Sequence, residues 1–154
     1  MSEWKRSTKE VPFEGLLPEM VAEINKHIEL YNLGLILSDT LMCIQTDSEK
    51  PKKGLFGSAE LIQQGVILTP RWIVLAVKKT KGGVGVLSAQ LRDVVILDYA
   101  QTPYAKMLPD TGIQVDGKFT DMSENASAFI GLDECAVGKE FKALVIQAVQ
   151  DAKK

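Results

Sequence analysis

Seven short apolar segments, separated by turn residues, run through the middle of the chain and constrain its fold more than any other feature. They are six to eleven residues long and rich in β-branched side chains, and they begin at residues 40, 59, 71, 84, 92, 112 and 127. Segments of this length and composition are typical of strands, whereas helices are usually longer and carry apolar residues at every third or fourth position. The sequence therefore predicts a mainly β fold.

Two flanking stretches carry apolar residues at helical spacing instead. In residues 18–31 the apolar side chains recur every three or four positions, and Pro18 suits a first helical turn. Residues 134–152 carry a second stripe, which includes Phe141, and Asp133 is placed to cap this helix. We expect one helix before the strands and one amphipathic helix after them.

Length and composition predict a single domain over residues 16–154. The chain has 154 residues and 45% hydrophobic content, enough for one core. Within this domain the strands would occupy residues 33–132. Residues 1–15 are polar without a period and are predicted to be a mobile arm.

The order of these segments resembles the bacterial pleckstrin-homology-like (PH-like) family. The resemblance is carried by "GVILTPRWIVLAVKK" at residues 65–79, by "LRDVVILDY" and by "SAFIGLDECAVGKEFKALVIQAV" near the end. It implies a bent seven-stranded antiparallel sheet or barrel, capped by the C-terminal helix, with the helix at 18–31 as an addition. It also implies a binding module and not an enzyme.

Charge is unevenly distributed along the chain. Residues 50–92 hold eight basic residues and one acid, a net charge of +7, which leaves −9 for the rest and −2 overall. Such a division predicts a positive face or end. The sequence pI of about 5.5 argues against nucleic acid as a partner.

The lysines of this basic region fall in two turn-rich segments. In PH-like domains the loop after the first strand and the loop after the third lie at one open end, where basic residues hold lipid phosphates. The resemblance therefore implies an anion-binding or lipid-binding site at that end, with Gly82 and Gly83 forming a hairpin turn. Its residues would be Lys50, Lys52, Lys53, Lys78, Lys79 and Lys81.

Residues able to carry catalysis are sparse. His27 is the only histidine and is predicted to lie on a helix surface or boundary, while Cys43 and Cys135 are far apart in sequence. The lysines precede the glycines in "VKKTKGGVGV" and a strand follows, which excludes a nucleotide-binding P-loop. We therefore expect no catalysis, no cofactor and no metal.

Three functions are consistent with these features. The first is a non-catalytic binding module for another protein or for a second copy of the chain. The second is weak binding to an anionic membrane surface through the lysine-rich loops, and the third is a small hydrolase with an unrecognised site. The two cysteines and the absence of a signal-peptide pattern predict a cytoplasmic protein.

Overall fold

The computed structural model describes residues 4–52, 54–55 and 57–154. Within these residues the chain forms eight strands and two α-helices, joined by short 3-10 turns. The elements in chain order are β1 (Lys5–Glu10), α1 (Pro18–Leu30), β2 (Met42–Lys50), β3 (Glu60–Leu68), β4 (Trp72–Lys79), β5 (Val84–Gln90), β6 (Val94–Asp98), β7 (Gly112–Gly117), β8 (Ala126–Gly131) and α2 (Ala136–Ala152). The seven strands expected from the apolar segments are β2 to β8.

The described strands form two antiparallel sheets and not a closed barrel. One sheet has the order β1-β2-β3-β4-β5 and the other the order β6-β7-β8. The chain passes from the first sheet to the second through a short 3-10 turn at Leu91–Asp93. The barrel predicted over residues 33–132 is wrong because β8 meets the first sheet through side chains, with no ladder of main-chain hydrogen bonds between them.

β1 lies in the segment that the sequence assigned to a mobile arm. Its main chain pairs with β2 from Lys5 opposite Glu49 to Glu10 opposite Ile44. Only Thr8 is buried in this strand, so no apolar alternation marks it in the sequence. Polar contacts hold it instead, beginning with the Thr8 hydroxyl at 2.8 Å from the Thr46 hydroxyl. Residues 5–10 therefore form a strand, although the sequence shows no period there.

The main core lies between the inner face of the five-stranded sheet, the three-stranded sheet and α2. Phe141 and Val145 of α2 are fully buried there against Ile44 and Val66 of the first sheet and Ile113 of the second. Burying side chains of this size contributes about 1.5–3 kcal/mol each. The apolar stripe read from the sequence is thus the face of α2 that fills the core.

The second core lies on the opposite face of the five-stranded sheet, which we call the α1 face. Met20 and Ile24 of α1 are buried there with Ile67 and Val74. A side chain on Gly65 would approach Leu16 Cδ2 to 2.9 Å, so the glycine lets this segment lie close to β3. The sheet is therefore covered on both faces.

The start of α2 differs in detail from the prediction. The helix begins after Cys135, and no side chain caps its first turn, so the predicted Asp133 cap is wrong. The main-chain carbonyl oxygen of Asp133 instead lies where a Cβ on Gly138 would be. Glycine is required here by the close approach of the preceding chain, although it lowers helix propensity.

Candidate functional site

The lysine-rich loops emerge at the same end of the five-stranded sheet. Lys50 is opposite Glu60 across β2 and β3, and Ile62 is opposite Lys79 across β3 and β4. The β2–β3 and β4–β5 connections therefore leave the sheet together, as consecutive antiparallel pairing requires. Gly82 has φ +113°, which confirms the glycine turn expected in the second connection.

Six lysines were predicted to converge at this end. Lys52 and Lys81 are exposed there with Lys79, and Lys50 lies 5.8 Å from the centroid of the Trp4 ring. Lys53 lies outside the described residues. Carboxylates are also present, because Glu49 and Glu60 are part of the same surface.

Lys78 is separated from the other lysines. Side chains of neighbouring strand residues point to opposite faces of a sheet. Lys78 lies on the α1 face, where its Nζ is 2.5 Å from Glu19 Oε2. Lys79 points to the inner face. The alternation of the strand therefore divides two lysines that are adjacent in sequence.

A groove of about 400 Å³ opens where the inner face of the five-stranded sheet emerges from under β8. We call it the seam groove. Apolar side chains from both sheets line it, and polar side chains surround them. The apolar and aromatic residues are Trp4, Ile62, Leu75, Val77, Leu87, Ala128 and Phe129, and the polar residues are Arg6, Gln64, Lys79, Asp110 and Ser127. It therefore combines an apolar floor with charge at its rim.

Gln64 joins the two sheets at the inner end of the groove. Its Nε2 donates a hydrogen bond to the Phe129 carbonyl at 2.7 Å, and its Oε1 accepts one from the Gly131 amide at 2.8 Å. The side chain is almost completely buried, with 5% exposure. A single carboxamide thus substitutes for a neighbouring strand at this point of β8.

Arg6 forms one wall of the groove. Its Nε and Nη2 donate to the two carboxylate oxygens of Asp110 at 3.1 and 2.5 Å, and its Nη1 donates to Ser48. The guanidinium carbon lies 5.7 Å from the Trp4 ring centroid and 5.3 Å from that of Phe129. A guanidinium bonded on three nitrogens between two rings is a fixed part of the site.

The edge of β8 that faces away from β7 borders the groove. The main-chain N–H of Leu132 donates to the carbonyl of Thr111. Hydrogen-bonded pairs recur at every second residue of an antiparallel ladder, so the bonds of β8 to β7 fall at Ala126, Ala128 and Ile130. The main-chain groups of Ser127, Phe129 and Gly131 therefore point outward. Gln64 occupies the Phe129 carbonyl and the Gly131 amide.

Three outward main-chain groups of β8, on Ser127 and Phe129, are not bonded by Gln64. Among the described residues, no hydrogen bond is made by the Ser127 amide, the Ser127 carbonyl or the Phe129 amide. Ser127 is exposed and Phe129 half-buried. A short stretch of strand edge is thus available beside an apolar floor.

A second polar cluster lies on the α1 face, around His27. His27 Nε2 is 2.8 Å from Ser88 Oγ, which is 2.6 Å from Thr120 Oγ1. Burial lowers the pKa of His27. The prediction of a surface or boundary histidine missed this contact, because Ser88 and Thr120 are distant in sequence.

This histidine–serine contact resembles a nucleophile and its base. However, Ser88 is only 1% exposed, and its hydroxyl is shared between His27 and Thr120. A substrate carbonyl has no approach to this oxygen in the described arrangement. The cluster links α1 to β5 and to the segment after β7.

Metal ligands and thiols are the remaining groups among the described residues that could carry chemistry. These residues contain no group of three or more histidine, cysteine, aspartate or glutamate side chains able to hold a metal ion. Both cysteines are free, and burial, followed by the nearby Glu14 and Glu10 carboxylates, raises the pKa of Cys43 to about 12. Cys43 is therefore protonated at neutral pH.

Comparison of the chain with family models, with curated proteins and with solved structures finds no match. The site must therefore be interpreted from its own geometry. In the part of the chain that the structure describes, neither helix is long and apolar enough to cross a bilayer.

Proposed function

We propose that this chain is a non-catalytic binding module of the cytoplasm that binds a segment of a partner protein, or of a second copy of itself, in the seam groove. The observation that carries the proposal is the position of the groove beside the outward-facing main chain of Ser127 and Phe129. Apolar surface next to an incomplete strand edge is the arrangement that protein segments recognise.

The assignment to a PH-like domain is part of this proposal. Its support is the order of strands β2 to β8, each paired with its sequence neighbours within two sheets, followed by a helix that fills the core. A binding role agrees with this arrangement, because the helix closes one end of the inner face and leaves the groove open. The cytoplasm is proposed because both cysteines are free.

The composition of the groove favours binding over a reaction. Its titratable side chains include Arg6 and Asp110, which are bonded to each other, and Lys79, which is exposed. A nucleophile and a base within hydrogen-bond distance would be needed for hydrolysis. The third candidate function is a hydrolase, which would use the histidine–serine contact on the α1 face. The burial of Ser88 weighs against it.

The proposal can be tested by site-specific photo-crosslinking. A benzophenone amino acid at position 79 should give discrete adducts in cells, and the same probe at position 78 should not. The two positions are adjacent in β4 but lie on opposite faces. The mass of the adduct, together with sedimentation of the purified chain, separates a second copy from another protein. Equal adducts at both positions, or none at position 79, would contradict the proposal.

An anionic membrane surface is the second candidate partner. Lys50, Lys52, Lys79 and Lys81 share one end of the sheet, and Leu55 is 87% exposed in the loop between β2 and β3. At about 1 kcal/mol for each engaged basic residue, three lysines provide roughly 3 kcal/mol, which is less than the about 4 kcal/mol of millimolar binding. We expect weak, salt-sensitive association with phosphatidylserine vesicles, with little preference among head groups.

A further inference from the structure

The unused edge of β8 suggests how a partner segment is held. Ser127 and Phe129 direct their main-chain groups away from β7, and Gln64 satisfies one of those groups on Phe129. Gln64 also satisfies the Gly131 amide, so pairing beyond this point is blocked. The available edge therefore extends from Phe129 toward the start of β8, along the length of the groove.

An extended segment placed on this edge would complete hydrogen bonds that β8 lacks. An added strand lies about 4.8 Å from its neighbour, and every second side chain points to the same face. Alternate side chains of the segment would then contact the floor of the groove, which includes Ile62, Val77 and Leu87. Valine and isoleucine suit such positions, because β-branched side chains pack well on a pleated surface.

Charge at the rim selects the remaining side chains of the segment. Lys79 lies at the rim, and Lys81 and Lys50 are near it at the same end of the sheet. Asp110 is neutralised by Arg6. Glu49 and Glu60 lie on the same surface as Lys50 and Lys81 and offset their charge, so the net charge of +1 of the groove lining comes from Lys79. An acidic segment complements this charge better than a basic one.

We infer that the seam groove binds an extended, acidic and β-branched protein segment by strand addition to β8, with hydrogen bonds to Ser127 and to the Phe129 amide. This inference rests on the proposed function. It adds the conformation of the bound segment, its chemical character and the main-chain groups that hold it.

The probe is a blocked peptide of about seven residues, the length of a typical strand, in which valine and glutamate alternate. Its controls are the same peptide with alternate amides N-methylated and a peptide of alternating valine and lysine. N-methylation removes donors of the peptide without changing its side chains, so the loss of the one bond that the peptide donates, to the Ser127 carbonyl, should weaken binding by about fivefold. The lysine peptide should bind more weakly still.

Variants of the full chain locate the contact. Ser127→Pro removes an amide that is not part of the β7–β8 ladder and should abolish binding, whereas Ser127→Ala keeps that amide and should bind as the wild type. Lys79→Gln should weaken binding about two- to fivefold at low salt. Lys78→Gln, on the α1 face, should leave binding unchanged.

Hydrogen exchange read by NMR provides a measurement on the unmodified protein. The peptide should slow exchange of the Ser127 and Phe129 amides by about tenfold or more, whereas the Ala128 amide, already in the ladder to β7, should change little. This result remains decisive if Ser127→Pro fails to fold.

The outcomes separate this inference from the proposed function. Equal binding of the N-methylated peptide, or binding without protection of Ser127 and Phe129, would overturn strand addition and leave the groove as the binding site. If the peptide fails to bind while crosslinking at position 79 persists, the inference alone is wrong. If crosslinking at position 79 is also absent, both are wrong.

Discussion

Gln64 and Gly131 are joined by a hydrogen bond of 2.8 Å, in which the buried carboxamide oxygen of β3 accepts from the main chain of β8. The nitrogen of the same carboxamide donates to the Phe129 carbonyl. One side chain thus holds the two sheets together where no strand ladder connects them.

Replacing this carboxamide should destabilise the fold. Gln64→Leu leaves the buried Gly131 amide and the half-buried Phe129 carbonyl without a protein partner, and an unsatisfied buried group costs about 1–3 kcal/mol. We expect the free energy of unfolding to fall by about 2–4 kcal/mol, measured by urea denaturation. The matched control is Gln63→Leu, because Gln63 is less buried and bonds the Asp47 side chain on the other face. A loss from Gln64→Leu no larger than that of the control would contradict the bridging role.

The spacing of apolar residues was sufficient to predict β2 to β8 and both helices, because each of these elements buries a stripe of apolar side chains. It could not predict β1, because Thr8 and Arg6 are held by Thr46, Ser48 and Asp110, partners that only the folded chain brings near. For the same reason the bridging role of Gln64 has no signature in the sequence.

The candidate site was predicted only in part. The common end of the two lysine-rich loops follows from antiparallel pairing and could be predicted. The separation of Lys78 from Lys79 also follows from strand alternation and was available from the sequence. The seam groove could not be predicted, because it depends on how far β8 extends over the inner face of the five-stranded sheet.

Gly138→Ala should destabilise α2, although alanine has the higher helix propensity. In an open helix interior this change stabilises by about 1 kcal/mol. Here the new Cβ would collide with the Asp133 carbonyl oxygen, and a main-chain atom cannot move aside as a flexible side chain can. We expect a loss of about 1–3 kcal/mol in the free energy of unfolding. Gly83→Ala, at a position with open space, serves as the control and should be nearly neutral.

The two thiols should react at different rates. Burial raises the pKa of Cys43 to about 12, so its thiolate is scarce at neutral pH, whereas Cys135 is half-buried. Titration of the folded protein with an aromatic disulfide reagent should modify Cys135 first, and Cys43 only upon unfolding. Cys135→Ser should therefore remove the fast phase. Rapid modification that persists in that variant would show that the Cys43 region opens readily.

Acid should weaken the attachment of α1 through His27. Burial lowers the pKa of His27 in the folded state below the value of about 6.5 that an unfolded histidine has, so the unfolded chain binds the proton more readily. The contribution of neutral His27 is thus fully present above about pH 6.5 and is lost as the pH falls from there through the folded pKa. The groups around the ring are Ser88, Thr120 and Tyr31, and the nearby charges of Glu23 and Lys26 pair with each other at 3.2 Å.

Thermal unfolding at pH 7.5 and at pH 5.5 measures this effect. Wild type should lose more stability between these values than His27→Gln, which retains a polar side chain but does not titrate in this range. Because His27 is the only histidine of the chain, the difference between the two proteins isolates one imidazole. Parallel pH profiles would mean that His27 accepts its proton without cost in the folded state, and the contact with Ser88 would then not require the neutral ring.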